Sequence, residues 1–247
     1  MTCLLSAEDV SVRYGSLAAL AGVDLCVHDG QRHALIGPNG AGKTTLLNVI
    51  GGSTRPQRGT VRLVGRDVGR LGPAARARRG INRIHQRPAV FATLTATENV
   101  VVAALPRVIP ERRWWPGGRG RDARHRAGRL LDQMGLADVA EVPAGHLAHG
   151  QRRQLEIAMA LAGRPRLLLL DEPAAGLSAV EVGRLVEVLQ ALPRAVALLL
   201  VEHRLDLVYA LSDTVTVLRD GRTLAAGTPD EIRTSPLVRR AYADGVA

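Results

Sequence analysis

The sequence predicts an α/β fold built on a mainly parallel β-sheet. Three observations lead there. Leu167–Leu170 and Val196–Val201 are uninterrupted apolar runs of the kind buried on both faces of a sheet. Capped helical segments alternate with these runs, as parallel strands require of their connections. A further apolar segment, His33–Ile36, leads directly into a glycine-rich loop and then a helix.

In chain order, the first third reads as strands: Val23–Val27 alternates and Gly59–Val64 is a short β segment. Lys43–Ile50 reads as a helix stopped by Gly51 and Gly52. From about Leu94 to Gly150 the chain is helical and rich in Arg and Gly, opening with Thr95 and Glu98 in capping-box spacing. Within it Arg112–Arg129, with Trp114 and Trp115, reads as an exposed, solvated insertion. Arg152–Ala162 is an amphipathic helix ended by Gly163 and Pro165. A helix follows from Ser178, with Glu181 completing a capping box and Pro193 ending it. Thr228, Pro229 and Glu231 open what reads as the last helix. No internal repeat is present.

The 247 residues suit one large domain, and the 46% apolar and 23% charged content is ordinary for a globular protein. Aromatic content of 2% leaves the core to Leu, Val, Ile and Ala. No stretch approaches the roughly 20 apolar residues of a membrane span, and the N-terminus has no signal-peptide pattern. Cys3 and Cys26 are the only cysteines and lack metal-ligand spacing, which fits a reducing, cytoplasmic setting. The net charge of +10 is compatible with nucleic acid, an anionic membrane surface or composition bias. Lys43 is the only lysine; every other cationic side chain of this kind is Arg. A compact ammonium is thus kept where it can reach between phosphates.

Gly37-Pro38-Asn39-Gly40-Ala41-Gly42-Lys43-Thr44-Thr45 matches G-x-x-x-x-G-K-[ST] between an apolar strand and a helix, the context that motif requires. Its backbone amides and the following helix N-terminus suit phosphate oxygens. Lys43 is expected on the β- and γ-phosphates of a bound nucleotide and the Thr44 hydroxyl on Mg²⁺. The run Leu167–Leu170 delivers Asp171 and Glu172 to a strand's carboxyl end, where ligands of such sheets bind. There Asp171 is a candidate Mg²⁺ ligand and Glu172 a candidate general base for the attacking water.

Further motifs resemble those of the ABC ATPases, in the same order and nearly end to end. Leu147-Ala148-His149-Gly150-Gln151 stands where that family carries its LSGGQ signature. Gln86, in Ile84–Phe91, resembles the Q-loop glutamine, a further Mg²⁺ and catalytic candidate. His203, after Val201-Glu202, resembles the switch histidine that senses the γ-phosphate, and Tyr14 the aromatic that stacks on adenine. Ala175-Gly176-Leu177-Ser178 occupies the D-loop position. Taken singly, Tyr14, Gln86 and His203 read as ordinary core or surface residues; the ordered set carries the resemblance. His146 and His149 are spaced like a metal pair, but no carboxylate or cysteine cluster supports one.

The resemblance implies a RecA-like P-loop core with an N-terminal antiparallel β subdomain (approximately 1–90 and 153–247) and an inserted helical subdomain carrying the signature (approximately 91–152). It also implies head-to-tail dimers in which each signature closes on the other subunit's ATP. Two departures stand out: Ala148 replaces the signature serine, and Ser178 an acidic D-loop residue. Neither touches Lys43, Asp171, Glu172 or His203, so activity should survive.

Gly80–Gln86, Leu94–Val100, Gly150–Ile157, Asp171–Leu177 and Gly227–Ile232 look most like the first of the two ATPase types in branched-chain amino-acid importers, with urea and amide importers as close relatives. The implied partners are permease subunits, a second ATPase and, indirectly, an extracytoplasmic binding protein. The implied place is the cytoplasmic face of the cell membrane, with no nucleic acid expected. A soluble ABC ATPase acting on nucleic acid or ribosomes is the alternative. It wants a long coiled coil, a tandem second ATPase or a linker with basic repeats, and this chain has none.

Overall fold

The computed structural model describes residues 3–86, 89–108 and 119–243. The chain opens with strands β1 (Cys3–Tyr14), β2 (Leu17–His28) and β3 (Arg32–Ile36), then helix α1 (Lys43–Gly51). Strands β4 (Arg58–Leu63) and β5 (Arg66–Asp67), helix α2 (Pro73–Arg79) and strand β6 (Ile81–Ile84) follow. Helices α3 (Ala96–Val108), α4 (Arg119–Gln133) and α5 (His149–Ala162) come next. The remainder runs β7 (Leu167–Asp171), α6 (Ala179–Gln190), β8 (Ala197–Val201), α7 (Leu205–Leu211), β9 (Thr214–Arg219), β10 (Arg222–Gly227), α8 (Pro229–Thr234) and α9 (Pro236–Ala243).

Two sheets result. The smaller is antiparallel, in the order β2-β1-β4-β5. The larger is six-stranded, in the order β10-β9-β3-β8-β7-β6. It is parallel from β9 to β6, with β10 added antiparallel at one edge. The apolar runs have a direct explanation in its two faces. On β7, Leu167 and Leu169 join the cluster around α1 and the antiparallel sheet, while Leu168 and Leu170 join the cluster around α3 to α6. On β8, Ala197, Leu199 and Val201 take the first side, Leu198 and Leu200 the second. Side chains alternate across a pleated strand, so a strand covered on both faces must be apolar at every position.

Each expected capping box forms. Thr95 N–H donates to Glu98 Oε2 (2.8 Å), Ser178 N–H to Glu181 Oε2 (2.8 Å) and Thr228 N–H to Glu231 Oε2 (2.8 Å). Several expectations are corrected. Helix α5 begins at His149 rather than Arg152, because Gln151 Oε1 accepts the Ala148 N–H (2.9 Å) and closes the first turn. The helix opened by Thr228 is not the last, since α9 follows it. The Arg-rich stretch is not simply a solvated insertion: Arg119–Arg129 lies in α4, which buries Ala123, Ala127 and Leu131 and turns Arg121, Arg124 and Arg129 outward. Trp114 and Trp115 lie outside the described residues. The cysteines, too, are paired, so their usage does not support the reducing setting expected from it: β1 and β2 bring Cys3 and Cys26 to a Cα separation of 6.1 Å, joined as a disulfide. Twenty-three residues of sequence separation hid a neighbour relation that strand pairing creates. Among the described residues no helix is long and apolar enough to cross a membrane.

Candidate active site

The glycine loop leaves the carboxyl end of β3, in the interior of the larger sheet, and feeds α1. Two of its glycines are required by the backbone. Gly37 has φ 146°, and a Cβ there would collide with the Leu218 carbonyl oxygen. Gly42 has φ 101°, and a Cβ there would stand 2.6 Å from the Ala19 carbonyl oxygen. The turn between β9 and β10 braces the loop, since Gly221 N–H donates to Ala41 O (3.2 Å) and Ala21 N–H to Gly221 O (2.8 Å). Gly42 offers α1 no side-chain cap, so the first-turn amides are left to an anion.

Lys43 is buried and folds back over its own loop, donating from Nζ to Gly37 O (2.7 Å) and Pro38 O (2.8 Å). Burial draws its pKa below the ordinary lysine value, while Glu172 and Asp171 pull the other way. Asn39 and Gly40 are exposed at the loop's tip, Thr44 is exposed on the first turn of α1, and Thr45 is half-buried.

Asp171 ends β7 and is buried. Its Oδ2 accepts from Arg83 Nη2 (2.6 Å), and Arg83 Nη1 donates to Asn48 Oδ1 on α1 (2.6 Å). Glu172 follows with φ 46°, a left-handed conformation that costs a non-glycine residue about 1–3 kcal/mol and clusters at functional sites. Its N–H still bonds Val201 O (2.9 Å), so the turn springs from the sheet itself. Gln86 Nε2 donates to Glu172 Oε2 (2.9 Å). The structure therefore brings together Lys43, Asp171, Glu172 and Gln86.

His203 follows β8 with its side chain 61% exposed and Nδ1 3.7 Å from Glu202 Oε2. Glu202 is fully buried. One oxygen accepts Ala174 N–H (3.0 Å), and the other accepts the N–H groups of His203 (3.0 Å) and Arg204 (3.3 Å). One carboxylate thus holds both the histidine turn and the segment after Glu172. Tyr14 ends β1 and is 51% exposed, presenting its ring to solvent.

The signature segment lies elsewhere. Leu147 is buried, while Ala148 and His149 are exposed at the N-terminus of α5. Gly150 N–H donates to Glu181 Oε1 (3.0 Å), and no hydrogen bond joins residues 147–151 to the glycine loop among the described residues. Sequence reasoning missed Arg83, Glu202 and this second role of Glu181. A charge inside a four-residue strand, and one at the end of an apolar run, were signals for the first two; nothing local signals the third.

The donors are oxygens: the Asp171 carboxylate, the Thr44 hydroxyl and the Gln86 amide. They fit a hard divalent cation such as Mg²⁺. Among the described residues no group of three or more His, Cys, Asp or Glu could cage a metal alone, which suits a cation held by one or two side chains together with phosphate oxygens and water.

A strand, glycine loop and helix with free amides, together with a carboxylate pair at the end of a buried parallel strand, define a P-loop nucleotide-hydrolysing protein. A protein-family model described as ABC transporter matches residues 20–175. Over 252 residues, 97% of each chain, the sequence is 38% identical to the high-affinity branched-chain amino acid transport ATP-binding protein BraF of Pseudomonas aeruginosa. The ADP conformation of MJ1267, an ATP-binding cassette of an ABC transporter, superposes with a TM-score of 0.86 at 28% identity, covering 98% of this chain and 99% of that one. The post-hydrolysis dimer of the cassette MJ0796, bound to ADP and Pi, gives 0.76 at 25% identity, over 91% and 98% of the two chains. The chain belongs to the ABC transporter family, as one of its ATP-binding and ATP-hydrolysing cassettes.

Proposed function

We propose that this chain is the ATPase subunit of an importer for branched-chain amino acids or related amino acids and amides. It works at the cytoplasmic face of the cell membrane as a dimer with a second copy or a sister ATPase. The observation that carries this reading is the hydrogen bond from Gln86 to Glu172, because the loop bearing Gln86 also borders a groove on the molecule's surface. The groove lies between α2, β6, α3 and α5 and is lined by Ala74, His85, Ala89, Ala103, Glu156 and Met159. A permease segment seated there bears on the loop that touches the proposed base. The likeness to BraF over nearly the whole chain supports the substrate class.

In this reading residues 91–152 form the signature-bearing subdomain and the rest the nucleotide core. Tyr14 stacks on adenine, and the amides of Gly37–Thr45 cradle the phosphates. Lys43 exchanges its two loop carbonyls for β- and γ-phosphate oxygens. Thr44, Asp171 and Gln86 would hold Mg²⁺, which supplies charge neutralisation for the phosphates. Glu172 orients the attacking water and takes its proton, a task worth about 10²–10⁴-fold. His203 contacts the γ-phosphate, and Leu147–Gln151 meet it from the opposing subunit through backbone amides and the α5 dipole.

Isolation of the tagged chain from native membranes tests the assignment. Two permeases and a sister ATPase should accompany it. Ribosomes or nucleic acid without any membrane protein would overturn the transport reading while leaving the ATPase intact.

A further inference from the structure

The loop that carries Gln86 is held from the helical side by two charges that solvent does not reach. Arg153, 1% exposed on α5, donates from Nη1 to His85 O (2.7 Å) and from Nη2 to Gln86 O (2.9 Å). Nη1 also pairs with Glu156 Oε2 (2.8 Å), one turn further along the same helix and 5% exposed. The other Glu156 oxygen accepts the Ala89 N–H (2.7 Å). Three backbone groups of one loop are thereby tied to one face of α5. The loop's other anchor is Arg83, whose guanidinium bridges Asn48 and Asp171 in the nucleotide core. Between these anchors, the Gln86 side chain reaches Glu172.

Stability is a poor reason for this arrangement. Burying two charges costs several kcal/mol of desolvation per ion, and an apolar pair of the same size commonly does as well. What the ion pair supplies is direction: a planar guanidinium holds two carbonyls and a carboxylate in one fixed fork, whereas an ammonium is a freely rotating point donor and an apolar group donates nothing. Arg153 also stands one helical turn beyond Gly150, so whatever moves the signature end of α5 moves the fork.

We infer that Arg153 and Glu156 are positioning residues for ATP hydrolysis: they set the Gln86 side chain against Glu172 and so tie the signature helix to the general base. Glu156, His85 and Ala89 also line the groove described above. The same pair is therefore where a docked permease acts on Glu172, a consequence that rests on the docking reading.

The test is steady-state ATPase of the purified full chain for Arg153→Lys, Glu156→Gln, Gln86→Ala and the double variant Arg153→Lys/Gln86→Ala. Loss of orientation should lower kcat about tenfold for Arg153→Lys while KM for ATP stays within about twofold. The double variant should lose no more than Gln86→Ala alone, because the effect passes through that side chain. Glu156→Gln keeps an acceptor for Ala89 and should show the same pattern, which separates positioning from misfolding. Wild-type kcat in both Arg153→Lys and Glu156→Gln, or a full additional loss from Arg153→Lys in the Gln86→Ala background, overturns the inference. In the assembled transporter, Arg153→Lys should still co-purify with the permease yet lose its stimulation of ATPase. Failure of the wild-type chain to recover a permease would defeat the docking reading and leave the purified-chain result standing.

Discussion

At the scale of single residues, the site is built from side chains placed against their ordinary preferences. Glu172 stands in left-handed backbone, Lys43 is buried, and Glu202 is fully buried. His33, beneath the glycine loop on β3, belongs with them. Burial, with the neighbouring charge of His28 added, holds its pKa down at about 4. Nε2 bonds Thr216 Oγ1 (2.8 Å), and Nδ1 is buried without a partner, so a proton there would be an uncompensated charge. The folded chain binds this proton more weakly than the unfolded one. Stability is therefore complete above the unfolded value of 6.5 and falls as pH drops towards 4, by on the order of 3 kcal/mol in all. His33→Gln should remove that portion of the acid sensitivity. Urea melts at pH 7 and pH 5 should show the wild type losing about 2 kcal/mol more than the variant across this interval. Equal losses would mean that His33 is not held neutral.

At the scale of elements, strand β7 does two jobs. It fills the core on both sheet faces and sets Asp171 and Glu172 at its end. Leu169→Ala opens a cavity on the α1 side and should cost about 2–5 kcal/mol in chemical denaturation. A loss below about 1 kcal/mol would show that α1 collapses onto the gap. Helices α5 and α6 are joined through Glu181, which caps its own helix at Ser178 and takes the Gly150 N–H of the signature. A signature amide expected to face phosphate is thus bonded here to a carboxylate on the first turn of α6.

At the scale of the whole molecule, the glycine loop and the signature do not meet within one chain, and both present exposed residues. In the function proposed above, these halves form one site when two subunits face each other. Glu172→Gln should bind ATP, turn over slowly and accumulate as a dimer, visible as a doubled mass by light scattering with ATP and not with ADP. A species that remains monomeric at saturating ATP would mean that this chain pairs with a different ATPase. Restoring a hydroxyl with Ala148→Ser should lower the ATP concentration that drives dimer formation, since an added donor to a charged group is worth about 1.5–3 kcal/mol. No change would show that backbone amides suffice.

The sequence by itself determined the α/β class, the buried strands, the helix caps and the ordered motifs from Tyr14 to His203. These are local signals: a period of two or none in strands, a cap three residues from its partner, a glycine loop between strand and helix. Only the tertiary structure decided which distant groups share a contact. Arg83 reaches Asp171 across 88 residues, Arg153 grips Gln86 across 67, and Cys3 meets Cys26 only because two strands pair. Arg153 in particular reads in sequence as one more arginine in a basic helix, and burial against a loop from another part of the chain gives it its role. The reason is physical: hydrogen bonds and ion pairs act over about 3 Å in space, and a sequence records position along the chain alone.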